Sequence, residues 1–151
     1  MLEPSCVVAM CDNTVSLCHA TSLEMLGSGP IATGAALLCL GRGASEGKIC
    51  VAKKKSLHFF RISEEGAWEE EKEMAVPDTP MALEWHGSQV AVGYKREYCL
   101  LSLDSGESID VFPLDAKTAM PMLCAIPSSD ELLLRLDKMG IFLKWDITAS
   151  R

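Results

Sequence analysis

The feature that most constrains this chain is a strand–turn–strand unit that returns every 41 or 42 residues. "VVAMCDNTVSLCH" begins at Val7, "ICVAKKKSLHFFRI" at Ile49, "VAVGYKREYCLLSL" at Val90 and "LLLRLDKMGIFLKW" at Leu132, so the spacings are 49 − 7 = 42, 90 − 49 = 41 and 132 − 90 = 42. Each unit has an apolar run, a polar turn and a second run rich in β-branched, aromatic or leucine side chains, which reads as a β-hairpin. A period of about 40–45 residues made of short strands points to β-propeller blades. Helical repeats of similar period would place apolar residues three and four apart over longer windows, and these runs are too short and too often interrupted.

The other strands of a four-stranded blade fall between the hairpins. In the most complete unit "MALEWHG" is the predicted innermost strand, "QVAVGY" the second, "EYCLLSL" the third and "SIDVF" the outermost. Turns fall at His86-Gly87-Ser88, Lys95-Arg96 and Asp104-Ser105-Gly106, the first and last rich in turn-forming residues and the middle one a polar break. The preceding unit reads "AALLCL", "KICVA", "LHFFRI" and "WEEEKEMAV". The first unit lacks an innermost strand and the last an outermost. The predicted fold is therefore all-β, a partial β-propeller of two complete blades flanked by two incomplete ones, with residues 1–151 as one domain. Propellers close as rings of four to eight blades, so a four-bladed ring using strands from both termini is the alternative. In the open arrangement each end exposes unpaired backbone.

Composition narrows the partners. The chain has 151 residues, 48% hydrophobic and 23% charged, which suits a packed globular core. With 14 basic and 21 acidic residues the net charge is 14 − 21 = −7, which argues against nucleic acid or an anionic membrane as the main partner. No apolar run approaches the roughly 18 residues of a membrane span. The opening "MLEPS" carries an acid and a proline where a signal peptide carries positive charge. A cytoplasmic location, with peripheral membrane association at most, is the expectation. Seven cysteines, an odd number without a C-x-x-C pair, read as small hydrophobes in a reducing compartment rather than disulfides or zinc ligands.

Little in the sequence asks for catalysis. "GSGP" (Gly27 to Pro30) and "GRG" (Gly41 to Gly43) lead into no Gly-Lys-Ser/Thr and open no helix, so the amide cradle of a phosphate site is missing and they read as loops. His19, His58 and His86 stand at different points of the repeat, and nothing local pairs them with a nucleophile. No enzyme activity, metal or cofactor is expected. Glu69-Glu70-Glu71-Lys72-Glu73 reads as a charged outer strand that blocks edge-to-edge association. The tryptophans Trp68, Trp85 and Trp145 read as packing between blades.

One patch invites a partner. Lys53, Lys54 and Lys55 form one hairpin turn, and Lys95 and Arg96 form the equivalent turn one repeat later. Stacked blades would set them side by side, a positive patch on an acidic protein, suited to an acidic protein surface or an anionic headgroup. Exposed turns also need solvated residues, which explains the charges without a ligand. Tyr98 follows the second turn and would extend the patch.

The stretch "VPDTPMALEWHGSQVAVGYKREYCLLSLDSGESIDVFP", Val76 to Pro113, resembles the citron homology (CNH) domain as carried by large endosomal tethering subunits of the HOPS and CORVET complexes and by the TGF-beta-receptor-associated protein. Pro77, Asp78, Pro80, Trp85, Gly93, Lys95, Arg96, Tyr98, Gly106, Phe112 and Pro113 carry the likeness, with Val111 where leucine is expected. "VAKKKSLHFFRI" and "MCDNTVSL" look like the preceding blades. The resemblance implies a segment of a seven-bladed propeller acting as a non-catalytic interaction module, peripheral on endosomes or lysosomes. The implied partners are Rab-type small GTPases, other tethering-complex subunits or, in the receptor-associated case, a TGF-beta receptor. A CNH regulatory domain of a kinase or Rho exchange factor, and a truncated product without independent function, are the alternatives. Lys53, Lys54, Lys55, Lys95, Arg96 and Tyr98 are the candidate partner-binding residues.

Overall fold

A computed structural model describes residues 6–114, 120–135 and 142–146. Among them four antiparallel sheets follow one another along the chain, each a simple meander. The first holds β1 (Cys6–Cys11), β2 (Thr14–His19) and β3 (Ala32–Thr33). The second holds β4 (Leu37–Leu40), β5 (Lys48–Lys53), β6 (Ser56–Ile62) and β7 (Trp68–Ala75). The third holds β8 (Ala82–His86), β9 (Gln89–Gly93), β10 (Glu97–Ser102) and β11 (Ser108–Pro113). The last holds β12 (Leu123–Ala125), β13 (Glu131–Arg135) and β14 (Phe142–Asp146). Among the described residues two four-stranded blades thus stand between two three-stranded ones, in the arrangement the repeat predicts. The two glycine stretches lie in loops, the second leading into a short 3₁₀ turn at Gly43–Ser45. No helix among the described residues is long and apolar enough to cross a membrane.

Strand alternation explains how the blades stack. Successive side chains of a strand point to opposite faces, and here both faces of the central blades meet a neighbour. Ile49 and Val51 of β5 join Val15, Leu17 and Ile31 of the first blade in one core. Cys50 and Ala52 of the same strand join Leu83, Trp85, Val90 and Val92 of the third blade in another. Ala91, Tyr98 and Leu100 of the third blade then pack on Leu132, Leu134 and Trp145 of the fourth. Edge-to-face aromatic pairs link the blades at Phe59–Trp85 (centroids 5.1 Å apart) and Phe112–Trp145 (5.7 Å), the geometry that ring quadrupoles favour. Trp68 pairs with Phe60 inside the second blade. Among the described residues each of these cores joins successive blades. The outward faces at the two ends leave Val7 and Leu133 each 37% exposed.

Repeated backbone bonds fix the two rims. The N–H of Ala35 donates to Asn13 O, that of Val76 to Lys55 O and that of Leu114 to Arg96 O, the same closure in three blades. On the opposite rim Ile62 N–H donates to Gly47 O and Leu103 N–H to Ser88 O. Gly93, which ends β9, has a steric reason: a Cβ there would lie 2.7 Å from Pro121 Cβ and 3.1 Å from the Tyr98 ring.

The acidic strand β7 lies at the periphery of its blade, and its charges are paired rather than idle. Lys48 meets Glu71 at 2.8 Å, Arg61 meets Glu71 at 3.0 Å and Glu69 at 3.6 Å, and His58 Nδ1 lies 2.8 Å from Glu70. Such half-exposed pairs contribute little stability; their value lies in keeping the edge charged.

Candidate interaction rim

The two basic turns occupy equivalent places. Lys54-Lys55 joins β5 to β6 and Lys95-Arg96 follows β9 and precedes β10, so both lie on the rim closed by the Val76–Lys55 and Leu114–Arg96 bonds. Their blades share one hydrophobic core. Lys54, Lys55, Lys95 and Arg96 are exposed and Lys53, at the end of β5, is half-buried. Among the described residues none of the five is in an ion pair. Lys54 has φ +48°, a left-handed conformation that costs a non-glycine residue roughly 1 kcal/mol. The first blade fills the equivalent turn with Asp12 and Asn13 at φ +49° and +60°, residue types that tolerate it. The counterpart at Asp137 and Lys138 lies outside the described residues.

Tyr98 does not belong to this rim. Expected to extend the patch, it is instead fully buried, 0% exposed, between the third and fourth blades. Its hydroxyl donates to Arg135 O at 2.7 Å, accepts the N–H of Met122 at 2.8 Å and lies 3.1 Å from Met122 O. Burial pushes the phenol up from its usual value, and the hydrogen bonds to Met122 and Arg135 oppose that shift. The correction has a simple cause. Tyr98 and Leu100 share one face of β10, while Cys99 and Leu101 share the other, and in a stacked blade both faces are interior.

The opposite rim gathers a polar cluster that sequence spacing did not single out. Arg42 Nη2 donates to Ile126 O and Ser129 O, each at 3.4 Å, bridging the second blade to the fourth. Gly87 N–H donates back to Arg42 O at 2.9 Å, and His86 Nε2 lies 2.6 Å from Asp130 Oδ1. His86 Nδ1 is buried without a hydrogen-bond partner. Burial raises the Glu84 carboxyl above its ordinary range, while the Arg42 charge and a hydrogen bond with the Ala125 backbone partly offset the rise. Glu84 and His86 alternate on β8, which was the available signal; their partners lie more than 40 residues away in sequence, so no local pattern names them. Gly41 permits the turn, since a Cβ there would sit 2.0 Å from Ser45 O.

One trio has metal-ligand composition. The ligating atoms of His58, Glu70 and Glu73 lie within 4.8 Å of one another. His58 Nδ1 already faces Glu70 at 2.8 Å and Nε2 faces Ser56 Oγ at 2.9 Å, so the ring is engaged on both sides as part of the paired outer strand. Burial, then the neighbouring Cys39, raises the Cys50 thiol well above its usual value, which keeps it protonated and unreactive.

Comparison with known proteins decides the family. A family model for the CNH domain matches residues 1–146. The chain belongs to the CNH domain family. It is 31% identical over 97 residues to vacuolar sorting protein 39 of Arabidopsis thaliana, covering 64% of the chain and 10% of that protein. It is 25% identical over 143 residues to transforming growth factor-beta receptor-associated protein 1 of Bos taurus, covering 90% of the chain and 16% of that protein. The CNH chain therefore spans a small fraction of these relatives. Among solved structures it superposes on the β-propeller domain of Myceliophteria thermophila Cps50 (Swd1) with a TM-score of 0.67 at 16% identity, covering 94% of this chain and 47% of that one. On the AfRom2 CNH domain the TM-score is 0.61 at 15% identity, covering 95% of this chain and 56% of that one. The chain thus matches about half of each solved chain, in keeping with a partial β-propeller.

Proposed function

We propose that this CNH chain is a non-catalytic protein-interaction module of vesicle tethering, acting at the surface of endosomes or lysosomes, and that Lys53, Lys54, Lys55, Lys95 and Arg96 dock the acidic face of a Rab-type small GTPase. The observation that carries the reading is the pairing of two basic turns on one rim of adjacent blades, one of them holding Lys54 at φ +48°. A lysine kept in a conformation that favours asparagine or glycine suggests selection for charge at that point. Rigid blades suit the task because they present turns in a fixed arrangement. The relatives' names, a vacuolar sorting protein and a receptor-associated protein, support a role in membrane traffic. They also name the receptor class as the other partner to test.

The test is a pull-down against Rab and Rho GTPases, each loaded with GTP analogue or GDP, and against a TGF-beta receptor cytoplasmic segment. Capture of a Rab in its GTP form, weakened by Lys54→Glu with Lys95→Glu and by raised salt, is the expected result. Capture that ignores nucleotide state, or that survives both charge reversals, rejects the GTPase reading.

A further inference from the structure

The seam between the first and second blades and the seam between the second and third are built alike and filled differently at one place. The repeat sets the correspondence. Cys11 pairs with Thr14 and Lys53 with Ser56, so Leu17 of β2 and Phe59 of β6, 59 − 17 = 42 residues apart, hold the same position in successive blades. Beside Leu17 lies Leu26, whose N–H donates to Leu17 O at 2.7 Å; beside Phe59 lies Lys72 of β7. Leu26 and Lys72 therefore occupy equivalent outer positions. Across each seam the facing residues also correspond, since Ile62 N–H donates to Gly47 O and Leu103 N–H to Ser88 O.

In the first seam the outer position carries an apolar side chain. Leu26 packs on the core that Ile62 and Trp68 also border, and a Cβ on Gly66 would lie 2.8 Å from its Cδ1. In the second seam the equivalent Lys72 sends its ammonium across the mouth to Leu103 O. A cavity of about 300 Å³ remains there, lined by Lys72 and reaching Phe59 and Trp85, the edge-to-face pair of this seam. Its walls come from the two four-stranded blades alone. Around the mouth Lys48 and Lys72 balance Glu71 and Asp104, and both Glu71 oxygens are already held, one by Lys48 at 2.8 Å and the other by Arg61 at 3.0 Å.

We infer that this seam, on the rim opposite the basic turns, is a docking site for an uncharged extended segment of a partner protein that inserts one leucine-sized apolar side chain over Phe59 and Trp85. The neighbouring seam argues the occupant, because there the molecule fills the equivalent place with a leucine of its own. Burial of that side chain in a preformed pocket supplies the affinity. An ammonium has three donors, so Lys72 keeps two for the segment's carbonyls after bonding Leu103 O. The balanced charge at the mouth favours a neutral segment, and an anionic ligand fits less well because Asp104 stands beside Leu103.

Nuclear magnetic resonance of the isotope-labelled 151-residue chain tests this, with the acetylated and amidated peptide Gly-Ser-Leu-Ser-Gly as probe. Saturable shifts are expected at the Trp85 indole N–H, which donates to Gly87 O at the cavity wall, and at the Ser88 and Leu103 amides, with a Kd of about 1 mM. The same peptide with asparagine in place of leucine should bind about tenfold more weakly or worse. Lys72→Leu, at an exposed position, gives the second seam the residue type of the first and should abolish the shifts in a protein at least as resistant to heat as the parent. Three results each overturn the proposal: no saturable shift at those groups, an asparagine peptide that binds as well as the leucine one, or a Lys72→Leu chain that binds the leucine peptide as the parent does.

Discussion

Replacing Tyr98 by phenylalanine separates a structural tyrosine from a partner contact. The ring stays and keeps its place between the third and fourth blades, so no cavity opens. What goes is a hydroxyl that donates to Arg135 O at 2.7 Å and accepts Met122 N–H at 2.8 Å. Those two groups stand at the start of the last blade's innermost strand and at the end of its second, so the hydroxyl ties two strands of the fourth blade to the third. Leaving a buried polar group unsatisfied costs about 1–3 kcal/mol. Both bonds are only part-buried and Met122 as a residue is 47% exposed, which holds the total near that range rather than at twice it. For a chain of this size about 1 kcal/mol shifts the melting temperature by roughly 2–4 °C. Urea unfolding followed by tryptophan fluorescence should therefore show a midpoint loss equivalent to about 1–3 kcal/mol. Hydrogen exchange at Met122 should accelerate, while GTPase capture by the folded protein stays as in the parent. A stability unchanged within error, or a selective loss of partner binding, would refute the placement of this hydroxyl in the core.

The remaining predictions probe other links. Lys54→Asn should raise stability by up to about 1 kcal/mol by relieving the left-handed lysine, while weakening capture of an acidic partner; a loss of stability in thermal melts would show that the lysine is not strained. Glu84→Gln addresses pH dependence. A carboxyl whose folded pKa is raised holds its proton more tightly in the fold, so its contribution is full below the ordinary glutamate range and is lost as pH rises through the raised value. Acidification through that window should stabilise the parent relative to the glutamine variant, and melts of the two that run parallel against pH would reject the assignment. Gly93→Ala should destabilise by about 1–3 kcal/mol, since its Cβ would meet Pro121 Cβ at 2.7 Å; an unchanged urea midpoint would mean that the fourth blade shifts freely.

Much of the architecture was legible before any coordinates, because blade formation is local. Turn chemistry and apolar alternation mark each hairpin, and the regular spacing from Val7 to Leu132 states that the same unit recurs. The absent innermost and outermost strands followed from counting runs between hairpins. The basic turns were equally visible, since lysines in a two-residue connection have nowhere to go but the rim. Tyr98 was not legible, because "KREY" looks the same whether the tyrosine follows its turn into solvent or its strand into the core. The bridge from Arg42 to Ile126 and Ser129 was invisible for another reason: it joins residues 84 and 87 positions apart across blades whose stacking only the folded molecule defines.

The chain by itself determined that four antiparallel meanders would form and where each turn would fall, because hydrogen-bonded hairpins answer to neighbours a few residues away. Tertiary structure decided which face of each strand meets which blade, and so which polar atoms are sealed. It buried the Tyr98 hydroxyl between two sheets and set the two basic turns on one rim of adjacent blades. The physical reason is that a strand inside a propeller has no solvent face: alternation sorts its side chains into two sets, and only the stacked neighbours say what each set touches.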